Sequence, residues 1–568
     1  MAPELVWRRL APVAALVFVC ATLASGAPPA SAADPPGTLA AKVILEGAPI
    51  HGANGLAVDH DGRLLVASVW GREIVALDPT TGKVLQRIGV DDGIPVDGPD
   101  DVAVAPDGSI CWTDLLSGMV RCLRTDGGVD EQFVAQGVNP IAFTSDGRMF
   151  VALAFFGDAL YELDPDLVDP PTLIMAGSGI PPWPDQLNGF DFGPDGRLWS
   201  PRPFGGADHS GEVGWIDVDA PTPTFNPVFT GQPTSSVEFS PDGELYASLA
   251  ASGEIVRVDT SNGALTHVAW LDPNLDNMTF DARGRLYVSN SHDGRVVRIL
   301  PSGQARDLSG PGLVIPGGIA AVGGGPGDGD RLFVTDLWAL ATVDGRTGHV
   351  LSIDYNAHVG PSITTPWSVA PDGDHVIVTS WMANLVQIWD PEAGTEVAAW
   401  PDFATPVNAI RFDGDLVVAE LGTGSVVRQT SGGARSTIAS GLFVPSGLAA
   451  SGGDLWVTDW ASGIVWQIVA DGAPTMIPVA MGLANPEGIA VDRDGTLLVV
   501  ESGAGRLTRI LANGETVVLA AGLDLGAPAA PGTPPAWVHN GVAVGPSGAI
   551  YVTGDRGSVV WRFKEVPR

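Results

Sequence analysis

Twelve times along the chain, a short alternating run opens on a small or polar residue and runs into a glycine turn. The first six copies read N-G-L-A-V-D-H-D-G at Asn54, D-D-V-A-V-A-P-D-G at Asp100, N-P-I-A-F-T-S-D-G at Asn139, N-G-F-D-F-G-P-D-G at Asn188, S-S-V-E-F-S-P-D-G at Ser235 and D-N-M-T-F-D-A-R-G at Asp276. The other six open at Gly317, Thr365, Asn408, Ser446, Glu487 and Asn540. Period-two alternation bounded by Asp/Gly turns marks strands joined in hairpins. A second strand such as L-W-V-T-D-W at 455–460 follows each copy, then a third and usually a fourth.

Four antiparallel strands in about 40 residues make one blade of a β-propeller, a unit that buries its apolar faces only against neighbouring blades. Twelve blades exceed the usual ring of about 4–8. The expected fold is therefore all-β, with two tandem six-bladed propellers of four-stranded antiparallel blades. Residues 33–301 would form the first and 302–568 the second. The last copy stops after its third strand, and a spare strand at 41–47 precedes the first copy. Closing both rings without free edges predicts that 41–47 completes the blade opened by Asp276. The strand at 304–309 would then complete the terminal blade.

Length and composition agree: 568 residues suit more than one domain, and 73 Gly with 47 Pro suit many tight turns. The formal net charge of −35 repels nucleic acid and anionic membranes, so neither is an expected partner, and it favours a dispersed monomer. Residues 1–32 read as a secretory signal peptide: Arg8 and Arg9, an apolar stretch over 10–23, then Ala30-Ser31-Ala32. No later segment stays apolar for the ~20 residues of a membrane span. Export would leave Cys111 and Cys122, placed symmetrically about Leu116-Ser117. A hairpin turning there sets them opposite each other, so a disulfide is expected.

The first strand of a propeller blade lines the central channel, and the residue that opens it faces the channel mouth. In the first ring these residues are Asn54, Asp100, Asn139, Asn188, Ser235 and Asp276, joined by Asp101, Ser236 and Asn277. All carry side-chain oxygen. Such donors converging on one axis suit a hard cation, calcium or another divalent ion. The same residue types also favour turns for their own sake. The second ring offers one carboxylate, Glu487, and is the weaker cation site. Its Trp338, Trp381 and Trp460 stand near loop entries, either packed between blades or forming a rim on which a sugar or peptide could stack.

L-D-N-M-T-F-D at 275–281 is similar to the calcium-binding phrase of paraoxonases, with its adjacent Asp and Asn. L-N-G-F-D-F-G-P-D-G at 187–196 is similar to the N-G-I-x-x-S-P-D-G phrase that carries a metal-ligating Asn across the gluconolactonase, senescence-marker-protein and paraoxonase superfamily. The first ring thus resembles that superfamily, and the second resembles NHL-type propellers. The Glu-Gly-Pro-x-Trp opening of gluconolactonases is absent. The resemblance implies calcium held by Asp276, Asn277 and Asn188, with Asn139, Asp100, Asp101 and Asn54 as companions. It implies hydrolysis of a lactone or ester. His51 would be the base, His292 and His209 its alternatives, and Asp114 a second base or a holder of a substrate hydroxyl. A serine triad is not expected, since no G-x-S-x-G elbow occurs. The alternative is a non-catalytic NHL-type platform for carbohydrate or protein ligands. A lyase of the virginiamycin-lyase type would need a catalytic His pair, which the sequence does not show.

Overall fold

The computed structural model describes residues 39–177, 185–206, 209–327, 329–356, 362–529, 536 and 538–564; the expected signal peptide lies outside them. The described residues form twelve four-stranded antiparallel sheets. The described residues also include two short 3-10 turns, Val90–Asp92 and Ser502–Ala504.

Eleven sheets are meanders of four consecutive strands. In the first, Ala53–Val58 pairs with Leu64–Ser68, then Glu73–Leu77, then Val84–Gly89. The turn after the inner strand is built by Asp59, whose Oδ1 accepts the amides of Asp61 and Arg63. Gly62 takes the left-handed φ of 77° that this turn requires. The two inner strands of the first blade are almost wholly buried, whereas its outermost strand, Val84–Gly89, exposes Leu85, Gln86 and Arg87 and buries only Ile88.

The rings close. In the unit Ala48–Val314 the inner strands touch in the order Ala53–Val58, Pro99–Val104, Val138–Phe143, Asp191–Phe192, Thr234–Phe239 and Leu275–Phe280, and the last meets the first. The other unit comprises the residues through Gly47 and from Ile315 onward. Its inner strands Pro316–Gly325, Ser368–Asp372, Pro406–Phe412, Pro445–Ser451, Pro486–Val491 and Val542–Val544 do the same. Each unit is a six-bladed propeller. The cores lie between blades: Leu65 and Ile74 of the first blade pack with Val102 and Trp112 of the second. Tyr287 and Val296 of the sixth blade pack with Leu56 and Val66 of the first.

The closing strand corrects one expectation. Ala40–Glu46 pairs antiparallel with Val559–Lys564 and completes the terminal blade of the second ring. The blade opened by Asp276 keeps its own fourth strand, Ala305–Ser309. Counting strands allows both solutions. The difference is that the terminal blade ends with a bare edge along Val559–Lys564, whereas the Asp276 blade has no vacancy to fill. The first ring is thus inserted, within the chain, between the closing strand of the second ring and that ring's first blade.

Candidate functional site

The residues that open the inner strands owe their aim to a local irregularity. Register slips by one residue between Ala53 and Leu56, Pro99 and Asp101, Val138 and Ile141, Thr234 and Ser236, and Leu275 and Met278. A bulge at this point frees the residue from the pleat and re-aims its side chain. Asn54, Asp100, Asn139, Ser235, Asp276 and Asn277 all sit in these bulges.

A second device fixes the same residues. Hydroxyls on the second strands, and in one blade on the inner strand, donate to the main-chain carbonyl at the mouth position of the next blade. Thr113 Oγ1 reaches Asn139 O at 2.5 Å, and Ser289 Oγ reaches Asn54 O at 2.6 Å. Ser236 Oγ reaches Asp276 O at 2.8 Å. In the second ring Thr335 reaches Trp367 O at 3.0 Å and Thr458 reaches Glu487 O at 2.7 Å; Thr553 donates to Gly317 O. These bonds show that Trp367, not Thr365, holds the mouth position of its blade. In the next blade Val407 holds it and Asn408 lies one place further in, since Pro406 pairs with Glu420 as Pro486 does with Glu501.

In the first ring the mouth residues meet across blades. Asn54 Nδ2 donates to Asp100 Oδ1 at 3.0 Å, and Asn277 Nδ2 to Asp101 Oδ1 at 3.3 Å. Asp101 also accepts the amides of Val102 at 2.9 Å and Ile141 at 3.0 Å. The glycine after a mouth Asn is required by proximity: a Cβ on Gly55 would lie 2.5 Å from Asp101 Cα, and one on Gly189 would lie 2.7 Å from Ser236 Cα and 2.8 Å from Asn277 Oδ1. Side chains of blades two, five and six are therefore gathered at one axis.

The electrostatics are one-sided. Burial, then the charges of Asp276 and Asp101, push the Asp100 carboxyl well above the usual range. Burial raises Asp101 to about 7 and Asp276 to about 6. Deeper in the ring, burial raises Asp191 to about 6 and, with the Asp191 charge, holds Glu238 well above its ordinary value. No basic side chain is among the influences on any of these five carboxyls. The set fits a hard cation in charge and donor type. Among the described residues no group of three or more His, Cys, Asp or Glu side chains is arranged to hold a metal. An ion here would thus depend on the amide oxygens of Asn54, Asn139, Asn188 and Asn277. Asn188 and Asp276 are partly exposed; Asn54, Asp100 and Asn139 are buried.

The expected bases fare differently. Burial and the nearby Arg87 lower His51 to about 4, so it is neutral and only weakly basic. His209 is exposed, its Nδ1 3.2 Å from Phe204 O. His292 is buried; its Nδ1 is 3.4 Å from Ser291 Oγ, and Ser291 in turn hydrogen-bonds the Asp276 side chain. His292 is the histidine connected to the mouth.

Asp114 is fully buried and occupied. It accepts the Asp97 amide at 3.0 Å and the Trp112 indole N–H at 3.2 Å, and it pairs with Arg121. Against these stabilising contacts burial still raises it to about 7. The same anchor recurs: Asp336 accepts from Ile315, Glu420 from Ala404, Asp459 from Val444, Glu501 from Ala484 and Asp555 from Ala527. In these six blades an acid at the end of the second strand ties down the loop that leads into its own inner strand. Phrases such as V-T-D are therefore structural throughout, the Thr clasping the next blade and the Asp anchoring its own. Sequence reasoning missed this, although the recurrence was its signal. The Cys111–Cys122 disulfide is present, across directly paired positions. Trp381 is buried edge-on against Trp367 at 5.9 Å.

No family model and no curated protein sequence matches the chain. Among solved structures it is similar to one assigned as a gluconolactonase, at 14% identity over 48% of this chain and 94% of that one, with a TM-score of 0.36. It is also similar to a streptogramin B lyase, at 13% identity over 58% and 93%, TM-score 0.24. A third is the virginiamycin B lyase of Staphylococcus aureus, at 14% over 60% and 96%, TM-score 0.22. The propeller assignment rests on the ring closure, and these likenesses add nothing on ligand or chemistry.

Proposed function

We propose that the first ring is a calcium-dependent hydrolase of lactones or esters, with its site at the channel mouth. The observation that carries this reading is the gathering of Asp100, Asp101 and Asp276 at one axis, among amide oxygens and without a basic partner. Asp100, Asp276, Asn54, Asn139, Asn188 and Asn277 would hold the ion. Bound there, calcium would polarise the substrate carbonyl and stabilise the developing oxyanion. His292, tied through Ser291 to Asp276, is better placed than His51 to take a proton from water. The disulfide supports an oxidising compartment, and hence export.

A second reading has its own support. Asn54 binds Asp100 and Asn277 binds Asp101, so part of the donor set is already spent on holding blades together. That favours a structural ion in a non-catalytic platform for carbohydrate-like or protein ligands. A panel of lactones and aryl esters, run with and without chelator on wild type, Asn188→Ala and Asp276→Ala, separates the two. Turnover that falls with chelator and in both variants supports the hydrolase. Chelator-sensitive thermal stability without turnover supports the platform.

A further inference from the structure

The mouth of the second ring is built for a different guest. Its inner strands open on Gly317, Trp367, Val407, Ser446, Glu487 and Asn540, so one carboxylate stands three blades from one indole. Glu487 is 2% exposed. Its Oε2 accepts the main-chain and side-chain N–H groups of Asn540, each at 2.8 Å. Its Oε1 has no donor among the described residues. Ser502 is within hydrogen-bonding reach of the carboxyl, but its one hydroxyl proton is directed at Asn485 O at 3.0 Å. The Asn408 Oδ1, on a side chain 8% exposed, likewise lacks a donor. His539, 4% exposed, reaches across from the sixth blade to the fourth, its Nδ1 3.4 Å from Ser446 Oγ. Burial keeps that imidazole neutral, its pKa lowered to about 4.

Two buried acceptors without donors leave a hydrogen-bonding deficit, a costly state in a low-dielectric interior. A divalent metal answers it poorly. Asp555, the nearby second carboxylate, is committed to the amides of Gly526, Ala527 and Arg556, so among the described residues of this mouth only Glu487 has a charged oxygen without a donor. One such oxygen is too few for a hard dication. A monovalent cation bearing N–H groups answers it well: its charge matches Glu487, its protons match Glu487 Oε1, Asn408 Oδ1 and the Ser446–His539 pair, and an indole at a mouth position, that of Trp367, favours an organic cation.

We propose that the axial mouth of the second ring is a binding site for a primary ammonium group, with Glu487 as its counter-ion and Asn408 and Trp367 as its companions. The proposal is independent of the chemistry of the first ring. The test is calorimetric titration of the full chain with methylammonium and n-butylammonium chloride, using tetramethylammonium and calcium as comparison ligands. n-Butylammonium should bind with a Kd of about 1 mM, well within the ceiling for a ligand of its size. Glu487→Gln, which keeps an acceptor for Asn540, should weaken binding at least tenfold, and Asn408→Ala severalfold, with thermal unfolding confirming that both variants fold. Affinity should rise with pH through about 7, where burial and the Asp555 charge place the Glu487 carboxyl. Absence of saturable binding by both primary amines overturns the proposal, as does unchanged binding in Glu487→Gln or equal affinity for tetramethylammonium. Calcium binding that Glu487→Gln abolishes would make the site a metal centre and overturn it too.

Discussion

Asp276→Asn should make the ion-free protein more stable and the calcium-bound protein less so. Burial raises the folded pKa of Asp276 from 3.8 to about 6. The folded state therefore holds this proton more tightly than the unfolded chain. Between those two values stability falls as pH rises, and above about pH 6 the full penalty of the buried charge applies. Roughly two pKa units at about 1.4 kcal/mol each set an upper bound near 3 kcal/mol, and partial exposure lowers it to about 1–2 kcal/mol. Asparagine removes that penalty and leaves intact the Ser236 hydrogen bond, which goes to the main-chain carbonyl. In chelator at pH 8 the variant should melt a few degrees above wild type, and the gap should close towards pH 4. Calcium should reverse the order, because wild type gains RT ln(1 + [Ca]/Kd) and the variant loses a charged ligand. The assay is thermal unfolding across pH, with chelator or graded calcium, following the two rings as separate transitions if they separate. A variant less stable than wild type in chelator at pH 8, or one that gains equally from calcium, refutes the reasoning.

Gly189→Ala should cost about 3 kcal/mol by chemical denaturation, since its Cβ would meet the Ser236 backbone at 2.7 Å; a cost below 1 kcal/mol would mean that the inner strands spread freely. Asp114→Asn should destabilise by about 2–4 kcal/mol, because it leaves the largely buried Arg121 without that charge partner, while turnover per folded molecule stays unchanged. Lost turnover at unchanged stability would return Asp114 to the role of base.

The blade count, ring size and mouth residues of the first ring were legible because each rests on local pattern: period two in the strands, Asp/Gly in the turns, an oxygen-bearing residue before each apolar run. What failed was non-local. Ala40–Glu46 carries no mark of which open edge it will pair with. Thr365 and Asn408 were displaced from the true mouth positions because the bulge that defines them is a property of cross-strand register. Asp114 read as chemistry because one acid at a strand end looks functional until its counterparts Asp336, Asp459 and Asp555 are seen bonding the same loop. The Asn-Gly phrases read as turns, yet Gly55 and Gly189 have no positive φ and are needed for close approach of neighbouring inner strands.

That last point separates the two mouths. Each blade presents a mouth residue and the residue after it. In the first ring the second of these is Asp101, Ser236 or Asn277 in three blades, so side chains fill the axis and charge accumulates there. In the second ring it is Gly318, Gly447, Gly488 or Gly541 in four blades, and the backbones close in: a Cβ on Gly488 would lie 2.6 Å from Asn540 O, and one on Gly447 would lie 2.4 Å from Glu487 O. Its axis is walled by main chain, and selectivity falls to the few side chains left at the rim. One scaffold thus makes one axis lined by several buried carboxyls and another where, among the described residues, a single carboxylate oxygen meets no donor. Exchanging Asp101 for glycine should therefore remove one carboxyl from the first axis and also loosen its ring, since Asn277 and the Ile141 amide lose their acceptor; thermal unfolding should show a lower midpoint.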